Sequence, residues 1–160
     1  MAIDYYALED HYSLCQDAFM KRIRDNMKPT FPLEYQVADD DTVIARGGDN
    51  FIIVRPGAFP LIPNKDMHEK DFRWGINFDL FVRYKAYKES WAQFRFVRAV
   101  LVNLFFMDPS LDGTKGVWSV TLSSGENAQY FSLEEKPGVK PNFIIQTMTA
   151  EITQRVGFEF

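Results

Sequence analysis

The sequence predicts an α+β fold in which two α-helices pack on one face of a mainly antiparallel β-sheet. The first observation is that from Phe72 to Tyr84 (FRWGINFDLFVRY) every even position is large and apolar. A period of two over this length predicts a long strand with one dry face and one mostly wet face. The second observation is a switch to helical spacing from Ser90 onward. The third is that shorter strand patterns occur on both sides of this strand–helix unit, which favours α+β.

The chain has 160 residues, which suits a single domain with one core over residues 1–160. The hydrophobic share (46%) and the charged share (25%) are ordinary for a soluble globular protein, whereas 16% aromatic residues is high. Aromatic rings fill cores, interfaces and ligand cavities. The N-terminus lacks the features of a signal peptide, and no apolar stretch is long enough to span a bilayer. We therefore expect a soluble protein made in the cytoplasm.

The net charge of −4 argues against a dedicated DNA-binding surface, because such a surface usually shows a basic excess and none is visible over the whole chain. A local basic cluster near the end of the first predicted helix is expected to interact with the dipole of that helix; its members are Lys21, Arg22, Arg24 and Lys28. The single cysteine, Cys15, excludes an internal disulfide. It falls on an apolar helix stripe, so we expect a small buried hydrophobic residue.

The first predicted helix begins after Asp4 as N-cap and ends before Pro29 and Pro32. Its apolar stripe has helical spacing and consists of Leu8, Tyr12, Cys15, Phe19 and Ile23. Turn-forming sequences then separate three short strand patterns at Leu33–Ala38, Thr42–Arg46 and Phe51–Arg55. These three strands are expected to form a meander or a pair of hairpins.

A long connection follows at Pro56–Asp71, and loops of this length in a compact domain are often functional. Its apolar residues Phe59, Leu61 and Ile62 either fold back on the domain or pack on a neighbouring molecule. Both alternatives are open from the sequence.

The second predicted helix runs from Ser90 to about Met107. Ser90 and Gln93 resemble a capping box. The inner stripe of the helix consists of Trp91, Phe94, Val97, Leu101, Leu104 and Phe105. Three more strands are predicted at Val117–Ser123, at Gln129–Leu133 and at Phe143–Val156, the first with Trp118, Val120 and Leu122 on one face. The predicted order is therefore α-β-β-β-β-α-β-β(-β).

No catalytic, metal-binding or cofactor-binding signature is visible. His11, His68 and Cys15 lack the spacing of a zinc site, and no phosphate loop, dinucleotide motif or nucleophile elbow occurs. Asp39–Asp41 is better explained as a solvated turn than as a cation site. Asp79, with Arg73 and Arg83, is either an active-site carboxylate or a cross-strand charge partner, and the second interpretation is favoured.

Three segments in this order, FIIVRPG, FRWGINFDLFVRYKAYKESWAQFRFVRAVLVNLF and FIIQTMTAEITQRV, resemble the tail terminator proteins of long-tailed bacteriophages, also called tail completion or tail-to-head joining proteins. The resemblance covers nearly the whole chain and rests on the order and character of the elements. The chain departs from it in two loops, Pro56–Asp71 and Glu134–Pro141.

The resemblance implies a structural virion protein, not an enzyme, that works without a cofactor and without a membrane. Its copies would form a ring, expected to be a hexamer, that caps the tail tube protein, ends tube polymerisation and joins the head–tail connector. DNA would pass through the ring without sequence-specific binding. The expected interface residues are Phe59, Leu61, Ile62, Met67, Arg73, Asp79 and Arg83, and the acidic turn Asp39, Asp40 and Asp41 is expected to face the channel.

Two alternatives stay open. One is a small-molecule-binding domain or enzyme of the nuclear-transport-factor-2-like type, with a pocket lined by Trp74, Asp79, Tyr84 and Trp118. Such proteins usually place most helix before most sheet, whereas here a helix divides the strands. The other alternative is a different virion component, such as a neck, connector or tail-tube subunit.

Overall fold

A computed structural model describes residues 11–27, 35–38, 50–55, 69–133 and 136–157. Within these ranges the chain forms two helices and six strands, and the α+β class and the predicted order of elements are confirmed. The predicted cap Asp4, the stripe residue Leu8 and the strand pattern at 42–46 lie outside the described residues. In chain order the elements are α1 (His11–Met27), β1 (Tyr35–Ala38), β2 (Asn50–Val54), β3 (Glu69–Arg83), α2 (Tyr87–Phe106), β4 (Val117–Ser123), β5 (Gln129–Phe131) and β6 (Phe143–Gly157).

The centre of the sheet is a pair of long strands, β3 and β6, each of 15 residues. They pair antiparallel along their whole length, from Glu69 opposite Gly157 to Arg83 opposite Phe143. The order across the sheet is β1-β2-β3-β6-β4, and β5 pairs with the beginning of β6. Strand β3 begins at Glu69, so the last three residues of the loop predicted at 56–71 already belong to the strand.

The first two described strands pair in parallel, with Tyr35 opposite Asn50. The predicted meander or pair of hairpins is therefore wrong for β1 and β2. Hairpins join antiparallel neighbours, whereas two parallel strands need a longer crossover between them.

Both helices pack on the same face of the sheet, as predicted. The large even-numbered residues of β3, such as Ile76, Phe78 and Leu80, are fully buried there. Phe19 of α1 stacks on Phe105 of α2 with ring centroids 4.8 Å apart, and Phe19 also contacts Phe78 at 5.4 Å. Burying side chains of this size contributes about 1.5–3 kcal/mol each, so this cluster supplies much of the driving force for folding.

The capping box predicted at Ser90 is wrong, because α2 begins three residues earlier, at Tyr87, with Ala86 as N-cap. Ser90 is buried, and its hydroxyl oxygen accepts the N–H groups of Lys85 (2.8 Å) and Ala86 (3.1 Å). In a capping box, a side chain in the first turn reaches back to a backbone N–H at the start of the helix. Ser90 makes this kind of contact, because it accepts the N–H groups of the two residues that precede the helix.

The predicted face of β4 needs a correction at Trp118. A bulge between Val117 and Ser119 interrupts the pairing with β6, so Val117 lies opposite Gln154 and Val120 lies opposite Ile152. A bulge places two residues of one strand opposite one residue of its neighbour and breaks the alternation of faces. Val117 and Val120 consequently join the core, while Trp118 is 56% exposed.

Candidate functional site

Three of the predicted interface residues, Arg73, Asp79 and Arg83, lie on the sheet face opposite to the helices. The remaining predicted site residues lie outside the described residues; these are Phe59, Leu61, Ile62, Met67, Asp39, Asp40 and Asp41. Neighbouring members of the described trio are four and six positions apart on β3, which corresponds to about 13 and 20 Å along a strand. The structure gives each of them a separate environment.

Asp79 is only 8% exposed, and its charge is compensated by Arg55, just after β2. The guanidinium donates from Nη2 to Oδ1 at 2.7 Å and from Nε to Oδ2 at 3.1 Å, while the Thr147 hydroxyl donates to Oδ1 at 2.7 Å. Bidentate pairs of this kind are among the stronger charge-assisted hydrogen bonds. This carboxylate is therefore occupied by partners from the two strands that flank β3.

The favoured interpretation of Asp79 as a cross-strand charge partner agrees with its pair with Arg55, while Arg73 and Arg83 interact with other residues. Arg73 lies 3.7 Å from Glu151 in an exposed pair, and the Arg83 guanidinium lies 4.9 Å from the ring centroid of Phe143. Sequence reasoning missed Arg55. The alternation of side chains along β2 could have indicated it. Ile53 lies opposite Asp79, and Arg55 is the next residue on the same face of the sheet, within reach of the carboxylate.

Part of the sheet face that was predicted to be wet is dry. Phe51, Phe81 and Phe143 are buried there, with ring centroids of Phe51 and Phe81 only 4.6 Å apart. Phe131 packs edge-on against Phe81 at 5.6 Å. This second hydrophobic cluster lies beside Asp79, since its member Ile53 is the strand partner of Asp79 and Phe81 follows Asp79 on the same face of β3.

A second charged cluster lies where α1 meets the end of α2. Arg22 is buried, and its Nε and Nη2 both donate to the carbonyl oxygen of Leu104, at 3.2 and 2.9 Å. Its Nη1 lies 2.8 Å from Asp112 and 3.2 Å from Asp108. The expectation that Arg22 would serve the end of its own helix is wrong. It binds one of the last four carbonyls of α2, which have no partner inside that helix.

The turn after α2 is organised by Asp108. Its carboxylate accepts the hydroxyl of Ser110 at 2.6 Å and the N–H of Asp112 at 2.8 Å. The hydrogen bond from the Ser110 hydroxyl, supported by those from backbone N–H groups, lowers the pKa of Asp108 to about 2. Leu111 adopts a left-handed conformation (φ 51°) in this turn, while its side chain is buried in the core. Burial of Leu111 offsets the cost of that conformation.

Two buried glutamines of β6 act as polar links between the sheet and its surroundings. Gln154 accepts the indole N–H of Trp74 at 2.9 Å and donates to the carbonyl of Lys115 at 2.8 Å. Gln146 accepts from Arg98 of α2 at 2.9 Å and donates to the carbonyl of Glu126 at 2.9 Å. Each amide both accepts and donates a hydrogen bond within the protein, so the two side chains hold neighbouring segments together.

The four residues named for an aromatic pocket are not brought together. Trp74 lies on the helix face of β3, and Asp79 lies on the opposite face. Tyr84 follows the far end of β3 and packs against Tyr130 at 5.6 Å, while Trp118 is exposed on β4. Trp74 and Tyr84 are ten positions apart, which is about 33 Å in an extended strand.

Several large apolar side chains are exposed at the two ends of α2. Phe106 and Met107 are 82% and 81% exposed at its C-terminal end. Tyr87 is 64% exposed at its N-terminal end, and Tyr130, Leu133 and Val139 are also exposed. Exposed apolar surface, such as that of the adjacent residues Phe106 and Met107, is typical of association sites. It is the feature of the described residues that most directly indicates a surface for binding another molecule.

Within the described ranges, no group of three or more His, Cys, Asp and Glu side chains is arranged to hold a metal ion. No helix in those ranges has the length and apolar character needed to cross a membrane. No protein-family model matches the chain, and a search of curated proteins finds no significantly similar sequence.

Proposed function

We propose that this chain is a structural subunit of the tail terminator type, whose copies form a ring on the end of a bacteriophage tail tube. The observation that carries the proposal is the order of the elements. An N-terminal helix is followed by a short strand, by a 15-residue strand that leads into the second helix after three residues, and by a second 15-residue strand at the end. This is the order on which the resemblance to that class rests.

The chemistry of the described residues supports a structural role. Asp79, the carboxylate with the clearest catalytic potential in the sequence, is held by Arg55 and Thr147. A general acid or base needs access to its substrate. The buried glutamines are equally committed to internal partners. A ring subunit, in contrast, needs two different surfaces that fit each other, and exposed apolar side chains supply material for them.

In this role the ring ends tube growth and presents its other side to the head connector, and DNA passes through its channel. The net charge of −4 supports this role, because an acidic protein holds a polyanion weakly. DNA that binds the wall weakly can slide during ejection.

The first test is the solution mass of the full-length chain by native mass spectrometry over a concentration range, with negative-stain images of the same sample. The second is polymerisation of the tail tube protein of the same virus with and without the chain. We expect closed rings, and tubes whose growth stops when the chain is added. A compact two-fold dimer together with unrestricted tube growth would contradict the proposal.

A further inference from the structure

The side of α2 opposite to its buried residues carries an apolar stripe. Its members follow one another at steps of three or four residues, and all of them are exposed; they are Ala92, Phe96, Ala99, Val102 and Phe106. Side chains with this spacing are neighbours on one side of a helix. The stripe is therefore a single surface on regular structure. Its shape exists before any partner binds, which lowers the entropic cost of association.

Arg95 lies within this stripe, and its charge has no partner. It is exposed, three residues after Ala92 and four before Ala99. Among the arginines that the structure describes, it is the one whose guanidinium forms no hydrogen bond, ion pair or ring contact. Arg98, about one turn further, donates to Gln146 at 2.9 Å instead. An unpaired cation within an apolar surface favours a partner that supplies a carboxylate beside apolar groups.

Four residues of the stripe region have the spacing of a hole on the helix surface. Ala92, Arg95, Phe96 and Ala99 occupy positions i, i+3, i+4 and i+7, and all four are exposed. Residues at these positions surround the space that a side chain of a facing helix enters in knobs-into-holes packing. Because two of the four are alanines, a large apolar side chain can enter without a clash. The fitting partner is a helix with one exposed apolar side chain and a carboxylate about one turn away.

The first helix of the same chain offers both groups. Leu14 is 47% exposed on α1, and Asp17 follows about one turn later on the same side of the helix. Asp17 is exposed, and its side chain forms no hydrogen bond or ion pair with any described residue. Glu89 and Glu126 are also unpaired among the described acidic side chains, but Glu126 lies outside the helices and no large apolar side chain lies one turn from Glu89.

Arg95 and Asp17 of one copy do not meet. The two helices contact each other where Phe19 stacks on Phe105, with ring centroids 4.8 Å apart. Asp17 lies within one turn of Phe19, whereas Arg95 lies about three turns before Phe105, which is about 15 Å along α2. In this fold the two unpaired charges therefore come together only between copies.

We propose that α1 of one copy packs on the exposed stripe of α2 of the next copy, with Leu14 in the hole and Asp17 paired with Arg95. A contact of either helix with its own counterpart would bring like charges together, which disfavours it. The proposed contact joins two different surfaces, and such heterologous contacts close into rings when the rotation between neighbours allows it. This inference rests on the proposed function and deepens it, since it names the contact that builds the ring.

The test reverses each charge in the full-length chain. Arg95→Glu places two carboxylates in the contact, and Asp17→Arg places two guanidinium groups in it. We expect each variant alone to associate at least about 10-fold more weakly than the wild-type chain, as native mass spectrometry up to about 0.5 mM protein at about 0.05 M salt will measure. Both side chains are exposed, so the fold should persist, as circular dichroism and thermal unfolding will show.

Mixing the two variants gives the decisive measurement. In a 1:1 mixture, α2 of the Arg95→Glu variant packs on α1 of the Asp17→Arg variant with opposite charges, and the reverse contact keeps the wild-type pair. We expect the mixture to associate as strongly as the wild-type chain, although neither variant does so alone. Lys115→Glu is the matched control, because it changes the net charge as Arg95→Glu does, at an exposed residue outside both helices. It should associate like the wild-type chain.

A mixture that associates no better than its two components would overturn the contact, and so would a wild-type chain that stays a monomer up to about 0.5 mM. Rings that persist in both charge variants would overturn the contact and leave the ring proposal standing. Association that depends on both charges, without any effect on tail tube growth, would uphold the contact and contradict the tail terminator role.

Discussion

Arg22 of the first helix binds the carbonyl oxygen of Leu104 in the last turn of the second helix, with Nε at 3.2 Å and Nη2 at 2.9 Å. One side chain thereby satisfies an acceptor that the helix leaves open and joins the two helices at the same time. Asp108 and Asp112 compensate the buried charge. The cluster fixes the end of α2, and therefore the position of the exposed side chains of Phe106 and Met107.

Replacing Arg22 is expected to be costly. Arg22→Ala removes the guanidinium that donates to the Leu104 carbonyl and to Asp112 and that lies beside Asp108, and hydrogen bonds to charged groups contribute about 1.5–3 kcal/mol. We expect the free energy of unfolding, measured by urea denaturation, to fall by about 3 kcal/mol. Lys21→Ala is the control, since Lys21 forms an exposed pair with Asp25 and its replacement should leave the free energy of unfolding almost unchanged. Equal effects of the two changes would contradict the structural role of Arg22.

The pair of Asp79 and Arg55 is expected to behave as a coupled unit. Arg55→Leu leaves a buried carboxylate with Thr147 as its remaining partner, and we expect a loss of about 2–3 kcal/mol in the free energy of unfolding. The combined change Arg55→Leu with Asp79→Leu should cost less than Arg55→Leu alone, because no uncompensated charge remains.

A double-mutant cycle measured by urea unfolding checks the coupling of Asp79 and Arg55. Arg73→Leu is the matched control, since its pair with Glu151 is exposed and 3.7 Å apart, and we expect about 0.5 kcal/mol or less. If the losses in the free energy of unfolding for the Arg55 and Asp79 changes simply add, the interaction energy between the two side chains is zero. That result would contradict the coupling proposed for this pair.

Gly116 is expected to tolerate no side chain. It has φ of 78°, its carbonyl accepts the N–H of Arg155 at 2.8 Å, and a Cβ at this position would overlap the carbonyl oxygen of Arg155. Gly116→Ala should lower the free energy of unfolding by about 3 kcal/mol or more, since both the backbone and β6 would have to shift. Gly113→Ala is the control: its φ is similar at 77°, but its Cβ would meet open space, so about 1 kcal/mol is expected. Similar thermal midpoints for the two variants would refute the steric argument.

Cys15 makes the stability of the protein sensitive to alkaline pH. Burial raises the pKa of its thiol to about 12, compared with about 8.5 for an exposed cysteine. The folded state therefore keeps a proton that the unfolded state loses between these values. The contribution of Cys15 to stability is complete below about pH 8.5 and falls as the pH rises toward 12. Urea unfolding of the wild-type chain and of Cys15→Ala between about pH 7 and 10 should show this slope only in the wild-type chain.

A reactivity measurement gives an independent check on Cys15. The native thiol should react with a thiol reagent only as fast as the chain opens, because the thiolate is the reactive form. Addition of denaturant should raise the rate steeply. Rapid reaction of the native protein at pH 8 would mean that the side chain is accessible.

Some features could be predicted from the sequence because they depend on local periodicity. The alternation around Phe78 identifies β3 and its buried face, and helical spacing identifies Phe94 and Leu101 as core residues. Apolar side chains must leave water whichever partner they meet, so burial follows from the pattern alone. The bulge beside Trp118 breaks that pattern by one residue, and no local signal marked it.

The partners of charged side chains could not be predicted in this way. Arg55 and Asp79 are 24 positions apart, and Arg22 and Leu104 are 82 positions apart. Both pairs depend on the register between strands and on the packing of the helices. A sequence shows which residues carry charge, whereas the partner of each charge depends on distances that only the assembled chain sets.

The sequence by itself determined the α+β class, the order of the elements and the dry face of each long element, because these follow from spacing and burial along one segment. Only the tertiary structure decided that β1 and β2 are parallel, that Arg22 binds a carbonyl in the last turn of the second helix, and that exposed apolar side chains lie at both ends of α2. These features arise where distant segments meet, and the energy of such contacts depends on positions that no local pattern records.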